Sequence, residues 1–332
     1  HRYGDAAALQ VEHRPLPAPG PGEVQIRHRA IGVNFVDIYH RTGLYALPSL
    51  PATLGVEGVG EIVALGAGAA EQYGLALGQR VAYAGPPAGS YASARNFPAA
   101  RAVPLPDGVS DASAAGAMLR GITAHMLFAH VRPLRPGDTV LVHAAAGGLG
   151  LVLTQWAKAL GATVITTAGS VEKCAACVQL GAHHAIHYPS QDFVEEVRRI
   201  TGGRGVDVVL DMVAGSYVAR EVESLADDGR LVIIAVQGGV KAEFNAALVL
   251  RKRLVITGST LRPQTVAFKA AIAQALRAHV WRHRGGASAG RPVTVVNCAT
   301  SVRCASVSAI SESSAVARAE PSPVTNRATS GN

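Results

Sequence analysis

The residues of this chain best suited to chemistry form a glycine turn, Ala144-Ala145-Ala146-Gly147-Gly148-Leu149-Gly150. The apolar run TVLVH leads into it and the helical segment LGLVLTQWAKALG leads away. As a variant of G-x-G-x-x-G, it puts Ala145 at the first glycine position, Gly147 at the second and Gly150 at the third. Gly147 lets the backbone approach a pyrophosphate, and Gly150 lets helix and strand pack closely. A helix N-terminus offers unpaired N–H groups and a positive dipole end, so the stretch reads as a phosphate cradle. The next strand indicates which dinucleotide. NAD binders place an acid about 20 residues past the glycines to hold the ribose 2′-hydroxyl. Here the strand ends TTAGSVEK, with no acid at its tip. Gly169 and Ser170 leave room for a 2′-phosphate, Lys173 can neutralise it, and Tyr188 at the end of the third strand can flank the adenosine. Glu172 is expected to point away from Lys173 on its helix. Taken alone, Lys173 also reads as an ordinary solvated lysine; with its neighbours it makes NADPH the expected cofactor.

Cys174 and Cys177 make a C-x-x-C inside the helical segment VEKCAACVQLG. Residues at that spacing share a helix face, and no second ligand pair follows, so they read as small packing residues. No metal site is expected.

A cradle of this kind needs a sheet to carry it. TVLVHAA, TVITTA, HAIHY, VDVVLDM, RLVIIAV and RLVITG are short apolar strands, with helical segments between the first five. Val and Ile runs without alternation suit a parallel sheet buried on both faces. Six such strands make a doubly wound dinucleotide fold. The first hundred residues differ. GEVQIRHRAIGVN alternates, with Val24, Ile26 and His28 on one side and Gln25, Arg27 and Arg29 on the other. GVGEIVALGAG and GQRVAYAG are further strands between glycine turns, which together suggest a β-rich, barrel-like domain. From Asp111, DASAAGAMLRGITAHMLFAHV has helical spacing. The fold class is therefore α/β with two domains.

Composition agrees. With 48% hydrophobic and 16% charged residues over 332, the chain is globular, and no apolar run suits a membrane helix. The N-terminus HRYGDAAALQ lacks a secretory layout, so the cytoplasm is the expected compartment. The formal charge is +8, and from Arg282 onward six Arg face two Glu. That segment has no aromatic residue, which argues against nucleic acid as a partner. After Trp281 the sequence loses Leu, Phe, Tyr, Lys and Asp and all periodicity. Such a segment buries too little apolar surface to offset its ordering entropy, so 282–332 is expected to be disordered. The abrupt change reads as a reading-frame shift or a foreign tail.

From about Glu12 to Trp281 the chain resembles the medium-chain dehydrogenase/reductase superfamily, and within it the quinone oxidoreductases that include zeta-crystallin. VNFVDIYHRTGLY, PATLGVEGVGEIVALGAG, RGITA, AAAGGLG, TAGSVEK, DFVEEVRRITGGRGVD and DGRLVIIA carry the likeness. It implies a GroES-like catalytic and substrate domain over 1–112 with a return segment at 259–281, and a Rossmann NADPH-binding domain over 113–258. It implies that Asn34, Tyr39 and Tyr45 line the nicotinamide and substrate pocket and that Thr123 sits near the nicotinamide. Asp37 and Arg41 of the same motif suit local structure. It also implies that Ser170, Lys173 and Tyr188 grip the 2′-phosphate. The zinc enzymes of the superfamily have a catalytic Cys and a ligand His where this chain has Asn34 and Val56. Neither residue can replace a thiolate or an imidazole as a zinc ligand. The activity implied is zinc-independent reduction of quinones or related enones by NADPH, by a one- or two-electron route. The alternatives are an enoyl or alkenal reductase, or an impaired NADPH-binding protein, since the family's closing His-x-Gly-Lys-x-Val type signature does not follow Trp281. A homodimer joined at the sheet edge through RLVIIAV and RLVITG is implied as well.

Overall fold

The computed structural model describes residues 1–279 and the pair Cys304–Ala305. Its N-terminal part is an antiparallel sheet of β1 (Glu23–Gly32), β2 (Glu57–Leu65), β3 (Arg80–Ala84), β4 (Ala94–Pro98) and β5 (Val103–Pro104). The expected alternation in β1 holds: Val24, Ile26 and His28 are buried, while Arg27 and Arg29 are exposed. Val24, Ile26, Ile62, Val81, Tyr83 and Phe97 fill the core beneath. Each such side chain contributes roughly 1.5–3 kcal/mol on burial. His28 is tolerated on the apolar face because both ring nitrogens find partners, the Tyr83 hydroxyl at 2.7 Å and the Ala92 carbonyl at 2.6 Å. Burial lowers its pKa to about 4, so the ring is neutral. Short helices α1 (Phe35–Thr42) and α2 (Ala69–Tyr73) join the strands.

The segment with helical spacing from Asp111 forms α3 (Asp111–Ala115), α4 (Met118–Met126) and a wide π-type turn, Leu127–Val131. Gly116 ends α3, and the N–H of Leu119 leaves the helix ladder for the Glu57 carboxylate. A tertiary hydrogen bond thus overrides helical propensity.

The second sheet contains β6 (Thr139–Val142), β7 (Thr163–Ala168), β8 (His184–His187), β9 (Val206–Asp211), β10 (Leu225–Ile233) and β11 (Val255–Gly258). All pairs are parallel, in the order β11-β10-β9-β6-β7-β8. This is the doubly wound order, whose switch point lies between β6 and β9. Helices α5 (Gly148–Ala159), α6 (Val171–Gln179), α7 (Phe193–Ile200), α8 (Tyr217–Ser224) and α9 (Ala246–Lys252) make the crossovers. Val140, Leu141, Val142, Val164, Ile165, Val208, Val209 and Leu210 are at most 1% exposed, as a sheet covered on both faces requires. Of the two strands expected at the dimer edge, only β11 is outermost; β10 lies between β9 and β11.

The chain then enters α10 (Val266–His279). Its Ile272 and Ala273 join Ala30, Val59, Val103, Met118 and Ile122 in one core cluster. Cys304–Ala305 pair antiparallel with Gly32 and Ile31 of β1, so those two residues depart from the disorder expected of 282–332. The rest of that segment lies outside the described residues.

Candidate functional site

The glycine turn sits where β6 hands over to α5. Ala144 adopts φ +47°, which reverses the chain, and Ala145 donates its N–H to Thr167 on β7 at 3.1 Å. Ala145 is fully buried, while Ala146, Gly148 and Leu149 are partly exposed and Gly147 is exposed around the N-terminus of α5. No side chain caps that helix at Gly147, so its first N–H groups remain for a ligand. Gly150 is there because of packing: a Cβ would lie 2.5 Å from Ala145 Cα and 2.6 Å from Ala144 O. At Gly148 a Cβ would meet Arg120 Nε at 2.2 Å. Arg120, reaching over from α4, was not foreseen from the sequence. Turn and exposed helix end together fit the pyrophosphate of a dinucleotide.

The expected 2′-phosphate group assembles at the ends of β7 and β8. The Tyr188 hydroxyl is 2.9 Å from where a Gly169 Cβ would stand, so the glycine lets the ring lie close against the tip of β7. Ser170 caps α6, its Oγ accepting from Lys173 N–H at 3.3 Å. Among the described residues no acid pairs with the Lys173 side chain. Glu172 makes no ion pair with Lys173; its carboxylate accepts from the Ser170 hydroxyl and its own N–H, which holds its pKa below the usual range. The free N–H groups and positive end of α6 account for that attraction. A bound 2′-phosphate must therefore take Ser170 from Glu172. Lys173→Ala is expected to raise the Kd for NADPH about 10–30-fold and that for NADH less than about 3-fold, read by fluorescence titration. Equal changes for both would remove Lys173 from the phosphate site.

Asn34 stands at the head of α1, 9% exposed, its N–H donating to Asp37 Oδ2 at 2.9 Å. Its amide Nδ2 donates to Glu57 Oε2 at 2.8 Å. Glu57, fully buried, takes the Leu119 N–H on its other oxygen at 2.7 Å. One carboxylate thus ties Asn34 to the first turn of α4, which carries Arg120 and Thr123. Burial pushes Glu57 up to about 7, against the pull of Arg120, Asn34 and Leu119. Asp37, also buried, is raised to about 6 while accepting from Asn34 and the Tyr91 hydroxyl. It shapes the motif locally, as expected. Gly32 makes room: a Cβ there would be 2.3 Å from Glu57 Oε2. Glu57 was not among the residues expected at the site; its signal was an acid flanked by glycines and valines at the start of a strand.

Tyr39 and Tyr45 meet edge-on at 5.0 Å, and Phe35 meets Tyr39 at 5.2 Å. Phe35 is 55% exposed, so the row forms an apolar rim beside Asn34. Thr123 is half-buried, its hydroxyl donating to Leu119 O at 2.8 Å, so that proton is spent on its own helix. Behind the glycine turn, fully buried His143 contacts Thr167 Oγ1 at 2.9 Å, with Glu221 Oε1 3.2 Å away. Burial lowers His143 to about 3 and, with Asp211, raises Glu221 to about 9. Both are neutral at pH 7, so their contact is not an ion pair. Cys177 is buried and Cys174 half-buried, with both thiols pushed up by burial, as packing residues should be.

Residues 20–107 match the family model described as "Alcohol dehydrogenase GroES-like domain" and residues 148–277 the one described as "Zinc-binding dehydrogenase". Quinone oxidoreductase 1 of Escherichia coli is 38% identical over 264 residues, 79% of this chain and 80% of that protein. The chain belongs to the quinone oxidoreductases of the medium-chain dehydrogenase/reductase superfamily. A 2-haloacrylate reductase of Burkholderia is 38% identical over 245 residues, 72% of this chain and 73% of that protein. The crystal structure of the E. coli quinone oxidoreductase complexed with NADPH superposes with a TM-score of 0.76 at 36% identity, covering 84% of this chain and 86% of that one. The two domains of this quinone oxidoreductase are thus a GroES-like domain and a Rossmann domain. The donor set does not suit the zinc of the second family description. Asn34 has given its amide to Glu57, Val56 is a core residue without a donor atom, and no group of three or more His, Cys, Asp or Glu among the described residues could hold a metal.

Proposed function

We propose that this chain reduces quinones and related electron-poor enones with NADPH laid along Ala144–Gly150, its 2′-phosphate among Gly169, Ser170, Lys173 and Tyr188. The observation that carries the reading is the convergence of the uncapped α5 N-terminus with the acid-free tip of β7 and the Tyr188 ring. The relatives support it: one was solved with NADPH, and others are a quinone oxidoreductase and a 2-haloacrylate reductase. When bound, NADPH supplies a hydride from its nicotinamide. The protein's part is to position the acceptor and to stabilise negative charge on its oxygen. Glu57 takes one of the two amide hydrogens of Asn34, fixing the side chain and leaving the second to donate to that oxygen. Thr123 has given its proton to Leu119 and can only accept. Tyr39 and Tyr45 supply an apolar wall for a flat ring, and Tyr39 resists ionisation because burial raises its pKa. The working division is residues 1–112 with 259–281 for the substrate and 113–258 for the cofactor. Following NADPH oxidation by the full chain against a panel of quinones and enones tests the reading; no turnover with any of them would overturn it.

A homodimer through β11 belongs to the same reading. That strand has no neighbour on its outer side among the described residues, and Val255, Val240 and Leu250 are 40%, 82% and 82% exposed. Light scattering is expected to give twice the chain mass, and Val255→Arg to shift the protein to monomer. A monomeric wild type would refute it. No helix among the described residues is long and apolar enough to cross a membrane. A cytoplasmic location belongs to the same reading.

A further inference from the structure

One guanidinium at the aromatic rim has no task in that reaction. Arg262 lies between β11 and α10, where the chain leaves the parallel sheet. Its loop is held by Ser259 N–H to Ile233 O at 2.9 Å and Gln264 N–H to Leu261 O at 3.2 Å. Lys269, only 6% exposed, adds a third bond from Nζ to Arg262 O at 2.7 Å. The guanidinium carbon then sits 4.1 Å from the centre of the Tyr45 ring. Among the described residues no carboxylate pairs with it.

The surroundings leave that charge available. Asp37 accepts the Asn34 N–H and the Tyr91 hydroxyl on the same oxygen, Oδ2, and it forms no ion pair with Arg262. His40, buried and facing Arg262, has its pKa lowered by burial and by that charge, so it adds no second cation. Phe35 and Leu44 nearby are 55% and 64% exposed. A guanidinium stacked on an aromatic face is pre-organised, weakly hydrated and shaped for two carboxylate oxygens. A cation so placed beside a flat apolar wall matches a small planar anion. A neutral quinone needs the wall and the Asn34 amide but no cation.

The geometry points to Arg262 as a specificity residue that selects α,β-unsaturated carboxylates, gripping the carboxylate while the Tyr45 and Tyr39 rings face the conjugated carbons. This rests on the reductase reading above and narrows its substrate class. The step balances without another reagent. A hydride from the reduced nicotinamide forms a C–H bond at the β carbon, and the C=C π pair moves to the α carbon and carboxylate oxygens. A proton from water closes the α carbon, leaving a saturated carboxylate and oxidised cofactor. Charge grows on the carboxylate oxygens during that transfer, opposite the guanidinium.

The test compares 2-chloroacrylate, its neutral methyl ester and 1,4-benzoquinone as acceptors for the full chain, its Arg262→Gln variant and its Arg262→Lys variant. Wild type is expected to favour the acid over the ester by at least about tenfold in kcat/KM. Arg262→Gln should lose about 10–100-fold on the acid, hold within about threefold on ester and quinone, and keep its Kd for NADPH; Arg262→Lys should recover part of the loss. An ester reduced as well as the acid by wild type overturns the assignment, as does an equal loss on acid and quinone. A chain that reduces benzoquinone but not the acid refutes this inference and leaves the reductase reading standing. A chain that oxidises NADPH with none of the three refutes both.

Discussion

Replacing Gly150 with alanine is expected to weaken NADPH binding by at least about a hundredfold, roughly 2.7 kcal/mol. The new methyl would stand 2.5 Å from Ala145 Cα, 2.6 Å from Ala144 O and 2.7 Å from Ala145 O. All three are backbone atoms of the turn, so no side chain can swing away. The start of α5 must instead move off the end of β6, carrying the N–H groups meant for the pyrophosphate. The glycine is buried and its neighbour Leu151 donates to Gly147 O, so the strain also reaches the core. Thermal unfolding should fall by several degrees, in line with the roughly 1–3 kcal/mol of an overpacked site. Calorimetric titration with NADPH measures the first effect and differential scanning calorimetry the second. Affinity within about threefold of wild type would mean that the dinucleotide does not lie on this turn.

Glu57 carries the second large effect. Its two oxygens hold Asn34 and the Leu119 N–H, one on the α1 side and one on α4. Glu57→Ala leaves both donors buried without acceptors, at about 1–3 kcal/mol each, and frees the Asn34 amide to turn. We expect stability to drop by about 2–4 kcal/mol and kcat/KM toward quinone by about a hundredfold. Glu57→Gln should lose less, because one oxygen remains while the new NH2 faces a donor. It also changes the pH dependence. The folded pKa of Glu57 is pushed to about 7 from 4.5, so below 4.5 both folded and unfolded states hold the proton. As pH rises from 4.5 to 7 the unfolded chain releases a proton that the folded chain keeps, and stability falls across that window before levelling off. The contribution is on the order of 3 kcal/mol. Asp37, raised to about 6, slopes the same way, so the difference between wild type and Glu57→Gln isolates Glu57. Denaturant unfolding at a series of pH values reads it. Parallel pH profiles for the two proteins would show that Glu57 is ionised throughout.

Much of the scaffold was legible without coordinates. All six strands of the parallel sheet fall where runs such as TVLVHAA and VDVVLDM stand, and β1 buries the side that its alternation marked. The turn at Ala144–Gly150 was readable because a strand, a reversal and a helix N-terminus are written within a few consecutive residues. Gly169, Ser170, Lys173 and Tyr188 converge because β7 and β8 are adjacent and end at the same edge. The misses share a cause. The helical spacing from Asp111 carries no mark of the break after Ala115, where a carboxylate 62 residues away takes the Leu119 amide. The pair RLVIIAV and RLVITG was read as an edge, although a sheet has only one outermost strand on each side.

Local pattern, then, determined the elements and the kind of cradle. Side-chain periodicity of 2 or 3.6 and the backbone freedom of a few glycines are properties of neighbouring residues, and they survive in the bare sequence. The tertiary structure alone decided which distant groups meet: Glu57 with Asn34 and Leu119, Arg120 with Gly148, and Arg262 with Tyr45. It also decided the charge on the buried groups, because a carboxylate or imidazole takes its protonation state from the solvent it loses and the charges it gains, and neither is set by its place in the chain.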